Sequence, residues 1–281
     1  MAAQSEPVAF VLGGGGILGA SEVGMLEGLL GLGIRPDLVV GTSVGAVNGA
    51  FLAADPTPGA VDRLADVWVR ASESGVFADS LFARLQRVGR LASHLHSSDA
   101  LESLLSEELG GMQFEDLAVR FQCVAAQIET ASARWFSEGN VVDAVLASCA
   151  VPGLLPAREI DGMHYLDGGL VHSIPVSRAI DLGARTVYVL QVGRIEHALR
   201  APRWPWEVGL VAFEIARRYR FNEDLERVPE GVAVHVLPSG SERSPSMTMS
   251  YRGARQVSAR IEAASVATRG YLSGLESEAP R

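Results

Sequence analysis

The segment Gly41-Thr42-Ser43-Val44-Gly45 places one hydroxyl between a predicted strand and a predicted helix. Residues 37–40 have the pattern of a short buried strand, and residues 46–53 are small and apolar, as in a buried helix. Gly41 and Gly45 permit a sharp turn between the two, from which the Ser43 Oγ projects. Ser43 also begins the helix, where unpaired N–H groups and the helix dipole favour negative charge. The segment therefore predicts an α/β fold with an activated serine.

The same pentapeptide has a simpler interpretation, in which the serine caps the helix and the glycine allows close packing. A second glycine-rich stretch favours the catalytic interpretation. Residues 8–12 predict a strand and residues 20–32 a helix, and they are joined by Gly13-Gly14-Gly15-Gly16-Ile17-Leu18-Gly19. If the strands at 8–12 and 37–40 are parallel neighbours, this glycine loop lies across from Ser43. The N–H groups of Gly14, Gly15, Gly16 and Ile17 are then predicted to form an oxyanion hole.

The glycine loop also matches a dinucleotide-binding fingerprint through Gly14, Gly16 and Gly19. That fingerprint needs an acidic residue at the end of the second strand, and the Ser43 turn occupies this position instead. A nucleotide-binding oxidoreductase is therefore a remote alternative, and the sequence predicts no cofactor.

The triplet Asp167-Gly168-Gly169 follows another predicted strand and places a carboxylate where two glycines let the chain approach a neighbour. Taken alone, it is an ordinary turn. A serine nucleophile needs a base, however, and the six histidines form no pattern typical of a Ser…Asp…His triad, although His197 and His235 follow Asp167 in that order. The economical interpretation is a Ser43–Asp167 dyad in which the carboxylate itself accepts the proton.

The composition argues against several other classes of protein. A net charge of −9 and the absence of any Lys/Arg run argue against nucleic-acid binding. Cys123 and Cys149 lie in apolar segments and predict buried free thiols and no metal site. The N-terminus lacks a basic n-region, and no apolar run reaches the ~18 residues of a membrane span. The sequence predicts a soluble, cytoplasmic protein and leaves peripheral membrane contact and the oligomeric state open.

The remaining elements are predicted from hydrophobic spacing. An antiparallel hairpin is expected from strands at 121–128 and 133–136, and a late strand at 232–237. Helices are expected at 60–69, 77–95, 99–109, 141–149, 206–219 and 251–272, with a loose tail from Ser273. The helix at 77–95 suits either a cap on the sheet or a lid that contacts membrane, since arginines interrupt its apolar residues. Trp204 and Trp206 suit either a lipid interface or the core.

Three stretches together resemble the patatin-like phospholipases, specifically the bacterial single-domain members: the glycine loop at 14–19, the serine turn at 41–46 and the triplet at 167–169. The stretch at 147–156 is also similar to the segment that precedes the aspartate in that family. The resemblance runs from about residue 8 to about residue 192. It implies a three-layer α/β/α sandwich with a mostly parallel central sheet. The chain is expected to form a single domain over 1–281, in which residues 193–281 add helices, a strand and a loose tail.

For the chemistry, the resemblance implies hydrolysis of lipid acyl esters without metal or histidine. Ser43 would be the nucleophile, Asp167 its base and Gly14 to Gly16 the oxyanion donors, with an acyl-enzyme formed on Ser43. A carboxylate is a weak base at neutral pH, because its pKa is normally about 4. Burial of Asp167 is therefore predicted to raise its pKa.

Two positions depart from the family pattern. Leu18 stands where the glycine loop commonly carries Arg or Lys, and Ser173 stands where Asn usually follows the aspartate. Both departures weigh against phospholipids and make an uncharged acyl ester an equally suitable substrate. They also motivate a second class of function, in which a catalytically weak protein of this fold binds lipid or acyl chains as a regulatory or interaction module.

Overall fold

A computed structural model describes residues 6–73, 98–192, 198–240 and 254–278. Within them, eight strands form one sheet in the order β5-β6-β3-β2-β1-β7-β8, with β4 paired to β3. The strands are β1 (Val8–Leu12), β2 (Leu38–Thr42), β3 (Arg120–Gln127), β4 (Ser132–Phe136), β5 (Arg158–Ile160), β6 (Met163–Asp167), β7 (Thr186–Leu190) and β8 (Ala233–Val236). The centre of the sheet is parallel, and β4, β5 and β6 pair in the antiparallel sense.

Helices cover both faces of this sheet. They are α1 (Ala20–Gly31), α2 (Val44–Ala54), α3 (Pro58–Glu73), α4 (Asp99–Leu109), α5 (Val141–Ser148), α6 (Val176–Asp181), α7 (Pro205–Glu226) and α8 (Ala254–Glu278). Short 3-10 segments lie at Gly16–Gly19, Phe114–Asp116 and Gly168–Leu170.

The alternation of side chains along β1 produces two separate cores. Phe10 and Leu12 face a large cluster built with α1 to α5 and α8, whereas Ala9 and Val11 face a smaller cluster built with α6 and α7. Successive residues of a strand point to opposite faces of the sheet, so a continuous apolar strand needs cover on both sides. The result is the three-layer α/β/α sandwich with a mostly parallel sheet that the sequence predicts.

Strand β3 brings together two segments that are distant in the sequence. Its residues 120–124 pair with β2, and residues 125–127 pair with the antiparallel β6. Both must occupy the same edge of β3, because β4 takes the opposite edge along 123–127. The last residues of β2 and β6, Thr42 and Asp167, therefore lie opposite the adjacent residues Val124 and Ala125. The carboxyl ends of β2 and β6 meet there.

Most predicted elements are present, with differences at their ends. The strand at 8–12 and the hairpin are confirmed, and the predicted helices at 60–69 and 206–219 are extended to Pro58–Glu73 and Pro205–Glu226. The prediction of a loose tail from Ser273 is wrong, because α8 continues to Glu278 and Leu272 and Leu275 pack against the large core. Ser98 precedes α4, but its side chain makes no capping hydrogen bond.

Some predictions fall outside the described residues. These are the helix at 77–95 with its lid alternative, the histidine at 197 and the first residues of the helix predicted at 251–272; the side chain of Trp206 is also not described. Among the helices that the structure describes, none is both long and apolar enough to cross a membrane. Cys123 and Cys149 are buried free thiols, as predicted.

Candidate active site

Ser43 lies between β2 and α2 in a conformation that is unusual for a residue with a side chain. Its φ is 54° and its ψ is −125°, and it caps α2 without a side-chain bond to that helix. A positive φ of this kind costs about 1–3 kcal/mol outside glycine and persists only where the surroundings impose it. In this conformation the hydroxyl makes no bond to α2 and instead points toward Asp167. Ser43 is 8% exposed.

Two buried hydroxyl groups hold this turn in place. The Ser148 Oγ accepts a hydrogen bond from the Ser43 N–H at 2.9 Å and donates one to the Val124 carbonyl at 2.6 Å. The Thr42 Oγ1 donates to the carbonyl of His172 at 2.7 Å. The turn is thereby tied to β3, to α5 and to the loop that follows β6. Because its N–H is already bonded, Ser43 itself does not contribute an oxyanion donor in this arrangement.

Asp167 ends β6 directly beside Ser43. The Ser43 Oγ donates to Asp167 Oδ2 at 2.6 Å, and the N–H of Gly169 donates to Oδ1 at 2.7 Å. Burial raises the pKa of the Asp167 carboxyl from 3.8 to about 6, against the lowering effect of these two hydrogen bonds. Since the carboxyl is still largely ionised at neutral pH, it is placed to accept the serine proton.

The glycine loop lies across from Ser43. A Cβ added to Gly14 would lie 3.5 Å from the Cβ of Ser43, which is ordinary van der Waals contact, and 3.3 Å from the Ser173 Oγ. Gly16 has a φ of 56° and opens the 3-10 segment. Within the described chain, the N–H groups of Gly15, Gly16 and Ile17 form no hydrogen bond, as at the start of any helix.

Gly14 differs from the prediction that made it an oxyanion donor. Its N–H donates to the backbone carbonyl of Ser173 at 2.8 Å and is therefore already bonded. The sequence does not show this, because Ser173 is distant in the chain and approaches only through the fold. Gly14 keeps the space in front of Ser43 open, and Gly15, Gly16 and Ile17 are left as candidate donors.

Close backbone contacts surround the site at the two glycines of the serine turn, Gly41 and Gly45, and at Gly168 after the aspartate. A Cβ on Gly45 would lie 2.3 Å from the Leu12 carbonyl oxygen, and one on Gly168 would lie 2.1 Å from the Val124 carbonyl oxygen. A Cβ on Gly41 would lie 2.5 Å from the carbonyl oxygen of Gly45. Gly169 donates its N–H to the aspartate. These contacts pack the start of α2 against the end of β1 and the segment after β6 against β3.

Behind the glycine loop lies a buried polar group that the sequence reasoning missed. The Glu22 carboxyl is fully buried and accepts a hydrogen bond from Asn48 Nδ2 at 2.7 Å, and the Trp68 Nε1 donates to Asn48 Oδ1 at 2.9 Å. Burial raises the pKa of Glu22 well above its usual range, and the Asn48 hydrogen bond lowers it. Burial therefore favours the protonated, uncharged form of Glu22. Its one signal in the sequence is a charged residue in the otherwise apolar face of α1.

Sequence reasoning found the residues that meet but missed those that hold them. Ser43, Asp167 and the glycine loop lie close together, as the sequence predicts. Ser148 lies in the stretch at 147–156 that is similar to the family pattern. No local feature of the sequence indicates that its hydroxyl accepts a hydrogen bond from the Ser43 N–H. Among the described residues, no group of three or more His, Cys, Asp or Glu side chains could hold a metal ion.

Comparison with solved structures supports the fold. The crystal structure of VipD from Legionella pneumophila superposes with a TM-score of 0.50, covering 97% of this chain and 67% of VipD at 14% identity. At that identity the likeness concerns the architecture alone.

Curated relatives are similar to this chain over about two thirds of its length. Lysophospholipase nte1 of Emericella nidulans is 32% identical over 196 residues, which are 67% of this chain and 12% of that protein. Patatin-like phospholipase domain-containing protein ZK370.4 of Caenorhabditis elegans is 31% identical over 191 residues, or 67% of this chain and 14% of that protein. The chain thus spans a small fraction of the length of these relatives.

The family model of patatin-like phospholipase matches residues 10–180. This range includes β1, the glycine loop, the Ser43 turn, β3 and Asp167, so it covers the whole junction described above. The chain belongs to the patatin-like phospholipase family.

Proposed function

We propose that the protein is a serine hydrolase that cleaves acyl esters of lipids through Ser43 and Asp167. The observation that carries the proposal is the buried 2.6 Å hydrogen bond from the Ser43 Oγ to a carboxylate with a pKa raised to about 6. A base with that pKa remains ionised at pH 7 yet is stronger than an ordinary aspartate, which suits proton transfer from a hydroxyl.

In the proposed reaction, Asp167 Oδ2 takes the hydroxyl proton as the Ser43 Oγ attacks the ester carbonyl. The carbonyl oxygen becomes an anion, and the N–H groups of Gly15, Gly16 and Ile17 donate hydrogen bonds to it. Collapse of this intermediate expels the alcohol, which receives the proton from Asp167, and leaves an acyl group on Ser43. A water molecule, deprotonated by the same carboxylate, then releases the fatty acid.

Two considerations support a lipid ester as substrate. The chain belongs to a phospholipase family, and a related protein is named a lysophospholipase. The nucleophile is also nearly enclosed, which favours an apolar acyl chain over a strongly hydrated substrate.

A fluorophosphonate probe, read by intact mass, tests the proposed nucleophile and base. Wild-type protein should gain one covalent adduct, Ser43→Ala should gain none, and Asp167→Asn should react at least tenfold more slowly. Ser265→Ala is the matched control, because Ser265 is also buried but lies in α8, away from the site. Folded wild-type protein that fails to react, or a Ser43→Ala variant that still does, would rule out the proposed chemistry.

We further propose that the protein meets lipid at a membrane surface through the outer face of α7. Val208, Ile215 and Tyr219 are 53–64% exposed and recur at intervals of seven and four residues, which places them on one side of α7. Trp204, which directly precedes the helix, is 56% exposed. Large apolar side chains in one exposed row typically mark an interaction surface. The α7 helix also contacts the 3-10 segment Gly168–Leu170, where Leu170 is 44% exposed three residues after Asp167.

Cosedimentation with vesicles of phosphatidylcholine and phosphatidylglycerol tests this contact. The double variant Ile215→Ser/Tyr219→Ser should bind at least fivefold less than wild type while it hydrolyses a soluble short-chain ester normally. Val266→Ser is the control, because Val266 is 56% exposed but lies on α8. Equal binding by both variants would contradict a role for the α7 face.

A further inference from the structure

Arg217 is a buried cation that is linked to the glycine loop through Ser173. It lies on the inner side of α7, and its side chain is only 5% exposed. Its Nη1 donates to both carboxylate oxygens of Glu214, at 3.1 and 3.2 Å, and its Nε donates to the Ser173 Oγ at 2.9 Å. Burying a guanidinium costs free energy of solvation, which hydrogen bonds and opposite charges must offset. A buried arginine at this position therefore needs an explanation.

Ser173 connects this cation to the glycine loop. Its hydroxyl accepts the Arg217 Nε–H, while its backbone carbonyl accepts the N–H of Gly14. A Cβ on Gly14 would lie 3.3 Å from the Ser173 Oγ and 3.5 Å from the Ser43 Cβ. Ser173 therefore links Arg217 to Gly14, the glycine that lies across from Ser43.

The positive charge of Arg217 is only partly balanced. Glu214, its ionic partner, also receives a 2.8 Å hydrogen bond from Arg218 Nε, so one carboxylate serves two guanidinium groups. Arg217 is also among the charges that act on Glu22, while burial raises the pKa of that carboxyl and favours its uncharged form. Positive potential is thus left beside the loop that faces Ser43.

We propose that Arg217 is a positioning residue for the hydrolysis, which holds the glycine loop through Ser173 and adds positive potential where the oxyanion forms. The inference rests on the proposed function of Ser43 and Asp167. A preorganised positive potential stabilises the transition state more than the neutral ester, so its effect belongs to kcat and not to substrate binding. Arg217 needs no contact with substrate for this role, because it acts through the loop.

Steady-state kinetics on a soluble, uncharged nitrophenyl acyl ester test the proposal. Arg217→Met keeps most of the side-chain volume but removes the charge and the donors, and we expect kcat to fall about tenfold or more while KM changes less than twofold. Arg217→Lys should recover part of this loss, because an ammonium keeps the charge and can still donate to Ser173. Ser173→Ala keeps the carbonyl that holds Gly14 but removes the hydroxyl, and it should also lower kcat.

Arg218→Met is the matched control. Arg218 is the next residue on the same helix and shares Glu214, to which its Nε donates a hydrogen bond at 2.8 Å. Its kcat should remain within twofold of wild type. The same order of variants is expected for the rate of fluorophosphonate labelling, which measures attack on phosphorus without turnover.

The outcomes separate this inference from the proposed function. If wild type neither hydrolyses the ester nor reacts with the probe, the proposed function fails and the inference fails with it. If wild type is active and Arg217→Met matches Arg218→Met, only the inference is overturned. A rise in KM at constant kcat would also overturn it, because that pattern indicates substrate binding. If Arg217→Met fails to fold, Ser173→Ala provides the test instead. A kcat equal to that of wild type in Ser173→Ala would then overturn the inference.

Discussion

At the scale of single residues, the site is a strained serine held by neighbours that have no reactive role themselves. Ser43 adopts a φ of 54°, and the Ser148 hydroxyl spans the gap between its N–H and the Val124 carbonyl. Asp167 is bonded on both carboxylate oxygens, so its orientation is also determined by the fold. The reactive pair is therefore fixed before any substrate arrives, which is what preorganised catalysis requires.

Activity should depend on the ionisation of Asp167. Only the ionised carboxylate can accept the Ser43 proton, so with a pKa of about 6 we expect kcat/KM to fall tenfold for each pH unit below that value. Above pH 7 the profile should be flat until another group titrates. A pH series on a soluble ester measures this.

His172→Asn provides the control for that profile. His172 lies five residues after Asp167, and burial lowers the pKa of its imidazole, so it too is a group that could titrate near the site. If Asp167 sets the acid limb, the variant retains it at the same pH. Loss or displacement of the limb in His172→Asn would assign it to the imidazole instead.

Ser148→Ala should loosen the nucleophile turn. The substitution leaves two buried backbone groups without a partner, the Ser43 N–H and the Val124 carbonyl, and each unsatisfied group typically costs about 1–3 kcal/mol. We therefore expect a lower free energy of unfolding in urea, together with slower fluorophosphonate labelling. Ser265→Ala removes a buried hydroxyl that has no hydrogen-bond partner among the described residues and should change neither quantity appreciably. Equal behaviour of the two variants would contradict this role for Ser148.

At the scale of elements, the site depends on where two strands end. The ends of β2 and β6 meet along one edge of β3, and the start of α2 packs against the end of β1. No loop has to fold back over the sheet to bring Ser43 to Asp167. The relative positions of these strands are held by backbone hydrogen bonds, so the geometry of the pair is a property of the sheet.

Gly45→Ala should disrupt the contact between α2 and β1. The added methyl group would lie 2.3 Å from the Leu12 carbonyl oxygen and 2.8 Å from that of Gly13, and neither backbone group can move without disturbing the sheet or the glycine loop. Overpacking of this kind usually costs about 1–3 kcal/mol. Thermal unfolding and ester hydrolysis should both be impaired.

Gly270→Ala is the matched control for that substitution. Gly270 also lies within a helix, α8, but nothing lies within 4 Å of its added Cβ. Its replacement should leave activity unchanged and raise the melting temperature slightly, since alanine favours helix by about 1 kcal/mol over glycine. If both variants unfold at the same temperature, close packing at Gly45 is not the limiting contact.

Local patterns in the sequence predicted the elements better than their arrangement. The strand at 8–12, the turn at Ser43 and the aspartate at a strand end follow from spacing and from turn residues, and each is present. The antiparallel entry of β6 beside β3 could not be predicted, because hydrophobic spacing carries no information on strand order. The hydrogen bond from the Gly14 N–H to Ser173 and the position of Arg217 also depend on how distant segments pack together, so hydrophobic spacing could not predict them. The helical tail after Ser273 was not predicted because Leu275 packs against the large core, which is built from distant parts of the chain.

At the scale of the whole molecule, keeping Asp167 buried opposes folding at neutral pH. Its pKa is about 6 in the folded protein and about 4 in an unfolded chain, so between these values the native state binds more protons. Stability contributed by the protonated form is fully present below about pH 4 and is lost as pH rises through about 6. Above that pH the ionised carboxylate destabilises the fold by an amount on the order of 3 kcal/mol.

Asp167→Asn should therefore stabilise the protein while it removes activity. At pH 8 we expect its free energy of unfolding to exceed that of wild type by on the order of 2–3 kcal/mol, and at pH 3.5 we expect the two to be similar. Chemical denaturation at both pH values measures the difference, and the contribution of Glu22 cancels because both proteins retain it. A difference that does not change with pH would show that Asp167 is not responsible.

The shared edge of β3 also has a consequence for how the protein becomes active during folding. Ser43 and Asp167 are 124 residues apart and meet only after β2 and β6 have both docked on β3. Such long-range pairing is slow, because a large loop must close before the contacts form. Helical structure in α1, α3 and α8 can form from local contacts well before that. In a refolding experiment, reactivity toward a fluorophosphonate should thus return after the far-ultraviolet circular dichroism signal, so that labelling of Ser43 would report the docking of β2 and β6 on β3.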